Sequence, residues 1–295
     1  MPIIHEFEYF KPATIPQTLK LLAKYKKSAI LAGGTDLLNL LKEGSEKPEA
    51  VIDIKGLVNL RKITFAKGRL QIGALVTFSE LMESEIVKRY FPLIVETART
   101  VGSPGIRNRA TMAGNICSAV PCLDSGPLLL AYEATVTAVG TAGKREIPVA
   151  KWFLGPRKTD LKPDEIVSGL TIPLPEAKHA GCFIKLGRYA GEDLAQASVL
   201  AMALAGNRYR IAFGSVAPVP FRAGRIEALL NGKEPDARLL ADAKDLVAAQ
   251  ISPITDLRAT KEYRLHMCRV MLERSLQAAV ERLAGKGPRY GGKLL

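Results

Sequence analysis

The chain has 295 residues, 47% hydrophobic and 24% charged, which suits a globular protein with room for two domains. Its longest apolar runs, Leu128–Tyr132 and Ser198–Ala205, fall far short of the roughly 20 residues a membrane span needs. The net charge of +13 is spread along the chain and aromatics are only 6%, which speaks against a nucleic-acid stripe and for a solvated basic surface or an acidic partner.

The first residues, Met1–Phe7, show no charged segment followed by an apolar core, so a cytoplasmic location is expected. Phe7–Phe10 reads as a short strand. A helix is predicted from Thr14 or Ile15 to about Tyr25, with Leu19, Leu22 and Ala23 at helical spacing. Ala29–Ala32 is a predicted strand and Asp36–Lys42 a helix, with Thr35 as its N-cap and Gly44 as its stop. Ala50–Ile54 completes a β-α-β-α-β order. The glycine turn at Gly33-Gly34 sits where an open α/β unit places its ligand. Taken alone, Ile30–Leu41 admits two readings. It is either a ligand-free strand-to-helix turn or a turn whose N–H groups face a phosphate.

From residue 60 to 173 the strands are predicted at Ile63–Phe65, Arg69–Gly73, Thr135–Val139 and Ile166–Ile172, and the helices at Phe78–Lys88 and Phe91–Thr100. Val101–Asn115 holds Gly102, Gly105, Gly114 and a proline and cannot be one regular element; a long apolar irregular stretch of this kind is usually functional. A domain boundary is expected near Pro173–His179. Beyond it, Gly181–Leu186, Ala197–Ala205 and Tyr209–Val216 suit an antiparallel sheet, and Ala223–Asn231 and Ala237–Gln250 suit helices. A last helix from about Arg258 to Leu283 carries Leu265, Cys268, Leu272, Leu276, Ala279, Val280 and Leu283 on one stripe. The glycine-rich tail 286–295 is expected to be mobile unless a partner holds it.

Several chemistries lack their residues. There is no GxGxxG, no GxxxxGK[ST] and no GxSxG. His5, His179 and His266 are far apart and read as surface or capping residues. Cys117, Cys122, Cys182 and Cys268 form no CxxC pair and read as small reduced hydrophobes, so no metal is assigned. If the chain takes part in redox chemistry, a bound cofactor must supply it.

Two stretches together narrow this. Ala32-Gly33-Gly34-Thr35-Asp36-Leu37 and Ile106-Arg107-Asn108-Arg109-Ala110-Thr111-Met112-Ala113-Gly114-Asn115 resemble the FAD-binding subunits of the molybdenum hydroxylase family, which includes carbon monoxide and xanthine dehydrogenases. The resemblance continues through Asp124, Lys185–Arg188, Glu192–Ala195, Arg210–Pro218 and Ser252–Ala259, about residues 3–285 in all. It implies an α+β fold: a two-subdomain FAD-binding domain of the vanillyl-alcohol oxidase type (1–176, subdomains about 1–57 and 58–176), then a smaller α+β C-terminal domain (177–285).

The resemblance also implies site roles. Ile30, Leu31, Ala32, Gly33, Gly34, Thr35, Asp36 and Leu37 would form one half of an FAD cradle, with backbone N–H groups at the pyrophosphate. Ile106, Thr111, Ala113, Gly114 and Asn115 would form the other half. Ser118 and Asp124 would hold ribitol or ribose hydroxyls, and Val167 would pack near the adenine. Lys185 would lie at the N1–C2=O edge of the flavin and favour its reduced anion. Val101 stands where some members place an aromatic ring against the flavin, so that stacking is absent here. Ala113 replaces a glycine found in many members, and the inserted cluster loop of the hydroxybenzoyl-CoA reductase branch is absent. Asp36 would repel a pyrophosphate if it pointed inward, so it is expected to point away. No residue of this chain is assigned as catalytic.

By the same resemblance the chain is an electron-transfer subunit. It would work with a large molybdenum-cofactor subunit and a small [2Fe–2S] subunit, as a dimer of heterotrimers, and pass electrons to NAD+ or another acceptor. Two alternatives stand beside it: a free-standing FAD-dependent reductase such as an enolpyruvyl reductase, and a non-catalytic basic binding protein.

Overall fold

A computed structural model describes residues 2–189 and 192–295. Residues 2–56 build a small parallel unit from β1 (Glu8–Phe10), α1 (Ile15–Lys24), β2 (Ser28–Leu31), α2 (Leu37–Glu43) and β3 (Ala50–Asp53). The strand order is β1-β3-β2, so β3 is central and all four of its residues are buried. Thr14 caps α1 by accepting from the Gln17 N–H, with Pro16 in the first turn. Gly44 ends α2 at φ 70°, the left-handed conformation a glycine stop requires. The start of α2 differs from expectation. Asp36, not Thr35, occupies the cap position, and neither side chain caps the helix. The Thr35 carbonyl instead accepts from the Asn39 side chain, 3.1 Å away.

The second unit is a five-stranded antiparallel sheet faced by short helices. Its elements in chain order are β4 (Ile63–Ala66), β5 (Arg69–Gly73), α3 (Phe78–Glu83), α4 (Glu85–Tyr90), α5 (Pro92–Arg99), α6 (Pro104–Arg107), α7 (Met112–Ser118), α8 (Ser125–Ala131), β6 (Thr135–Gly140), β7 (Gly143–Pro148), the two-strand pair β8 (Phe153–Gly155) and β9 (Lys158–Thr159), and β10 (Ile166–Pro173). The sheet order is β4-β5-β10-β6-β7. Lys67 and Gly68, both at positive φ, make the two-residue turn between β4 and β5.

One expectation fails here and one strand was not expected, each for a local reason. The single helix predicted over Phe78–Lys88 is two, because Ser84 leaves helical geometry and its hydroxyl then caps α4 at Val87 N–H. Strand β7 has no signal in the sequence because Lys144-Arg145-Glu146 lacks apolar alternation. It is a polar edge strand with Ile147 as its buried residue.

The third unit is an antiparallel sheet of β11 (His179–Leu186), β12 (Ala197–Leu204), β13 (Arg208–Gly214) and β14 (Phe221–Arg222), followed by α9 (Gly224–Leu230), α10 (Ala237–Leu246) and α11 (Lys261–Leu283). Every residue of β12 is buried because both faces of the sheet are covered. Phe183, Leu200, Met202 and Ala212 join the core of the first two units, while Cys182, Ile184, Val199, Ala201 and Phe213 pack with Cys268, Leu272, Leu276 and Ala279 of α11. That split follows the period of two along each strand. Helix α11 starts at Lys261, capped by Thr260, rather than at Arg258. Asp256 holds the preceding residues by accepting from the Arg258 and Ala259 N–H groups and from Arg264.

The tail is held by its own chain. The Arg282 guanidinium donates to the carbonyls of Pro288 and Arg289 and lies 4.2 Å from the Tyr290 ring centre. Gly291 N–H donates to Glu96, and Tyr290 accepts from Gly181 N–H. Arg282 and Glu96 are buried, and the tail supplies partners that their desolvated hydrogen-bonding groups need. His179 is also not a simple surface residue: it is half-buried, edge-on to Tyr132. Among the described residues, no helix is long and apolar enough to cross a membrane.

Candidate functional site

A cleft of about 660 Å³ opens where the three units meet. Pockets of roughly 300–1,000 Å³ are the usual size for a small organic ligand. All the predicted site residues line it except Leu31. Leu31 lies beneath the turn, its Cδ1 2.8 Å from where a Cβ on Gly34 would stand.

One wall is the run Ala32–Leu37 between β2 and α2. Its first helical bond is Leu38 N–H to Gly34 O, so the N–H groups of Gly34 through Leu37 have no acceptor within the helix. Gly34 sits at φ 81°, which needs glycine. Gly33 is required for a different reason. A Cβ there would lie 2.1 Å from the Arg109 carbonyl oxygen, so this glycine lets the two motifs touch each other.

The facing wall is the α6–α7 segment. Thr111 bridges to Thr77, and its hydroxyl accepts from Gly114 N–H at 2.9 Å, so it caps α7. Asn115 accepts from the Ser125 hydroxyl and N–H through Oδ1. Arg107 donates to the carbonyls of Arg99, Val101 and Gly102, which fixes the bend that brings Val101 to the cleft. Asp36 does not point away. It reaches across the opening and accepts from the Ser118 hydroxyl, so its carboxylate stands within the cleft's boundary.

At the cleft surface Lys185 Nζ lies 2.7 Å from Asp124 Oδ2 and 2.8 Å from the Thr100 carbonyl. Both side chains are more than 90% buried. Among the described residues, Asp124 Oδ1 has no hydrogen-bond partner. Burial raises the Asp124 carboxyl to about 6, against the opposing pull of Lys185. A buried carboxylate oxygen without a donor is costly, and a hydroxyl-bearing ligand would relieve that cost.

Residues not assigned to the site from the sequence also line the cleft, among them Cys117, Cys122, Leu161, Ile166 and Leu194. The thiols are half-buried, and burial pushes Cys117 up to about 12 and Cys122 upward as well. Only Glu192–Ala195 carried a sequence signal, through the resemblance; nothing local marked Leu161 or the cysteines as cleft residues.

The family model described as the FAD binding domain in molybdopterin dehydrogenase matches residues 5–175. The chain belongs to the FAD-binding subunits of this family. A second model, the CO dehydrogenase flavoprotein C-terminal domain, matches residues 192–279. A putative xanthine dehydrogenase FAD-binding subunit of Escherichia coli is 33% identical over 286 residues, covering 94% of this chain and 97% of its own. The carbon monoxide dehydrogenase medium chain of Hydrogenophaga pseudoflava is 32% identical over 282 residues, covering 94% and 98%. The solved carbon monoxide dehydrogenase from H. pseudoflava that lacks the Mo-pyranopterin moiety has a chain matching with a TM-score of 0.91 at 33% identity, over 96% of this chain and 99% of its own. The family is one of oxidoreductases, and this subunit binds FAD. Among the described residues, the unpaired Asp124 oxygen, the unused N–H groups of the Ala32–Leu37 turn and the volume of the cleft fit that cofactor, while the Asp36 carboxylate, held by Ser118, is a lining charge that opposes its pyrophosphate.

Proposed function

We propose that this chain is the FAD-carrying electron-transfer subunit of a multi-subunit molybdenum hydroxylase. It takes electrons from [2Fe–2S] clusters of a small partner subunit and passes them to NAD+ or another acceptor. The large partner subunit carries the molybdenum cofactor, the assembly is a dimer of heterotrimers, and it works in the cytoplasm. Residues 1–176 act as the FAD-binding domain, with subdomains about 1–57 and 58–176, and 177–285 as the C-terminal domain. The observation that carries the reading is the cleft that both glycine motifs and the Asp124–Lys185 pair line together.

Bound FAD supplies two-electron and one-electron redox chemistry. The chain's residues hold and tune it. The N–H groups of Gly34–Leu37, and those of Met112 and Ala113, stand ahead of the first bonds of their helices (Leu38 N–H to Gly34 O and Asn115 N–H to Thr111 O) and would hold the pyrophosphate. Asp124 Oδ1 and Ser118 would receive sugar-chain hydroxyls. Lys185 would place a positive charge at the flavin edge, and Val101, Ile106 and Val167 would exclude water. The cleft thiols are held protonated and the Asp124 carboxyl is tied to Lys185.

The test is to purify the chain with its natural partners and assay flavin, molybdenum and iron. Expected are FAD in this chain and both metals in the partners. A chain that copurifies alone, colourless, and that shows no thermal shift with added FAD would sink the reading.

A further inference from the structure

Behind the wall that faces the cleft lies a second, smaller cavity of about 90 Å³. Ala32, Gly33 and Thr111 line both, so a single layer of backbone separates them. The small cavity is also lined by Lys55, Arg61 and Arg109.

Lys55 follows β3 at the carboxyl end of the parallel sheet. Its Nζ lies 2.8 Å from Asp53 Oδ1 and 3.4 Å from the Ala32 carbonyl oxygen. Asp53 is 2% exposed and fully engaged: it accepts from the Lys55 N–H at 2.9 Å and, through its other oxygen, from the Tyr9 hydroxyl at 2.6 Å. The ammonium is therefore held by a braced carboxylate and aimed at one backbone carbonyl of the first glycine motif.

The chain has no cis peptide among its described residues. In a trans peptide the C=O of one residue and the N–H of the next point in opposite directions. The Ala32 carbonyl turns toward Lys55, on the side of the small cavity, so the Gly33 N–H turns the other way, toward the cleft. Gly33 itself is pressed on the Arg109 carbonyl and cannot slide.

We infer that Lys55 is a positioning residue for the cofactor. By holding the Ala32 carbonyl from behind, it fixes the Ala32–Gly33 peptide so that the Gly33 N–H is presented to the FAD pyrophosphate. Its charge also stands one backbone layer behind that anionic group. This inference rests on the cradle reading given above, and it adds a residue that touches neither cofactor nor substrate.

The test is FAD titration of the full-length chain after flavin removal, with three variants. Lys55→Met removes the contact to Ala32 and one partner of Asp53. Tyr9→Phe removes a different partner of Asp53 and leaves the contact to Ala32 intact, so it reports on stability alone. Lys55→Arg restores a donor. Lys55→Met is expected to raise the FAD Kd about tenfold, as for a lost charged hydrogen bond. Tyr9→Phe is expected to lower the unfolding midpoint while leaving the Kd within about twofold, and Lys55→Arg to bring the Kd back to that range. If Met is not accommodated, Lys55→Gln, which loses the charge and the reach, should raise the Kd in the same way. An unchanged Kd in Lys55→Met, or an equal rise in Tyr9→Phe, would overturn the inference. A wild-type chain that binds no FAD would instead overturn the cradle reading beneath it.

Discussion

Gly33 and Arg109 meet backbone to backbone, with the Arg109 carbonyl oxygen where a side chain on Gly33 would begin. They belong to different units of the fold, and the contact closes the seam behind the cleft. The obstacle is a carbonyl on a segment further fixed by the Phe78 N–H bond to Ala110 O, so it cannot swing aside. Gly33→Ala is expected to destabilise the chain by about 3 kcal/mol, the upper range for overpacking, and to abolish FAD retention through gel filtration. Gly34→Ala meets side chains and a φ of 81°, and is expected to cost about 1–2 kcal/mol. Urea unfolding of both variants ranks the two causes.

The buried pair Glu96–Arg282 joins α5 to α11 and the tail. Glu96 also accepts from the N–H groups of Phe183 and Gly291, so its carboxylate ties four segments together. Arg282→Met leaves that carboxylate buried without its cation and is expected to cost about 3–5 kcal/mol in urea unfolding. The double variant Glu96→Leu/Arg282→Met should cost less than the sum of the two single changes, because no charge is then stranded.

What could be read from the sequence was local or periodic. The run Ile30–Leu41 announced a strand end, a turn and a helix, and the α11 stripe at Cys268, Leu272, Leu276 and Ala279 announced its buried face. What could not be read was partnership at long range. Asp124 and Lys185 are 61 residues apart, and Glu96 and Arg282 are 186 apart, with no pattern linking them. Asp36 reads as an outward charge because its acceptor role depends on Ser118 arriving from another unit. The role of Gly33 is hidden for the same reason: only the packed structure shows that the close approach is to Arg109. The tail reads as mobile because its anchors, Arg282, Glu96 and Gly181, lie outside it.

The two cleft cysteines should be poor nucleophiles. Cys117, raised to about 12 by burial, is thiolate in on the order of one molecule in 10,000 at pH 8, against a substantial fraction for a free cysteine. Peptide mapping after iodoacetamide treatment of the native chain is expected to find Cys117 unlabelled and Cys122 slow. Unfolding in urea should expose both. Rapid native labelling of Cys117 would contradict its raised pKa.

The Asp124 carboxyl gives the chain a pH dependence with a definite sign. Unfolded, it titrates near 3.8; native, it titrates at about 6 because burial outweighs the pull of Lys185. Between those values the native state binds more protons than the unfolded one, so this group's contribution to stability falls as pH rises. It is fully present below about pH 4 and lost once pH passes about 6. The change is on the order of 2–3 kcal/mol, taking about 1.4 kcal/mol for each tenfold difference in proton affinity between the two states. Other carboxyls act in the opposite sense: Asp193, held down to about 2 by its bonds from Arg188, contributes stability above the unfolded pKa and loses it only in strong acid. The comparison must therefore be wild type against Asp124→Asn, and their difference in urea stability is expected to change over pH 4–6. Cofactor binding reverses the local balance. A hydroxyl donated to the unpaired Oδ1 favours the carboxylate and lowers its pKa. FAD should then bind more tightly at pH 7 than at pH 5 in the wild type and release protons near pH 6, and Asp124→Asn should lose that dependence. Titration calorimetry in buffers of different ionisation enthalpy measures the proton release directly. Equal release from wild type and Asp124→Asn would remove Asp124 from the cofactor's contacts.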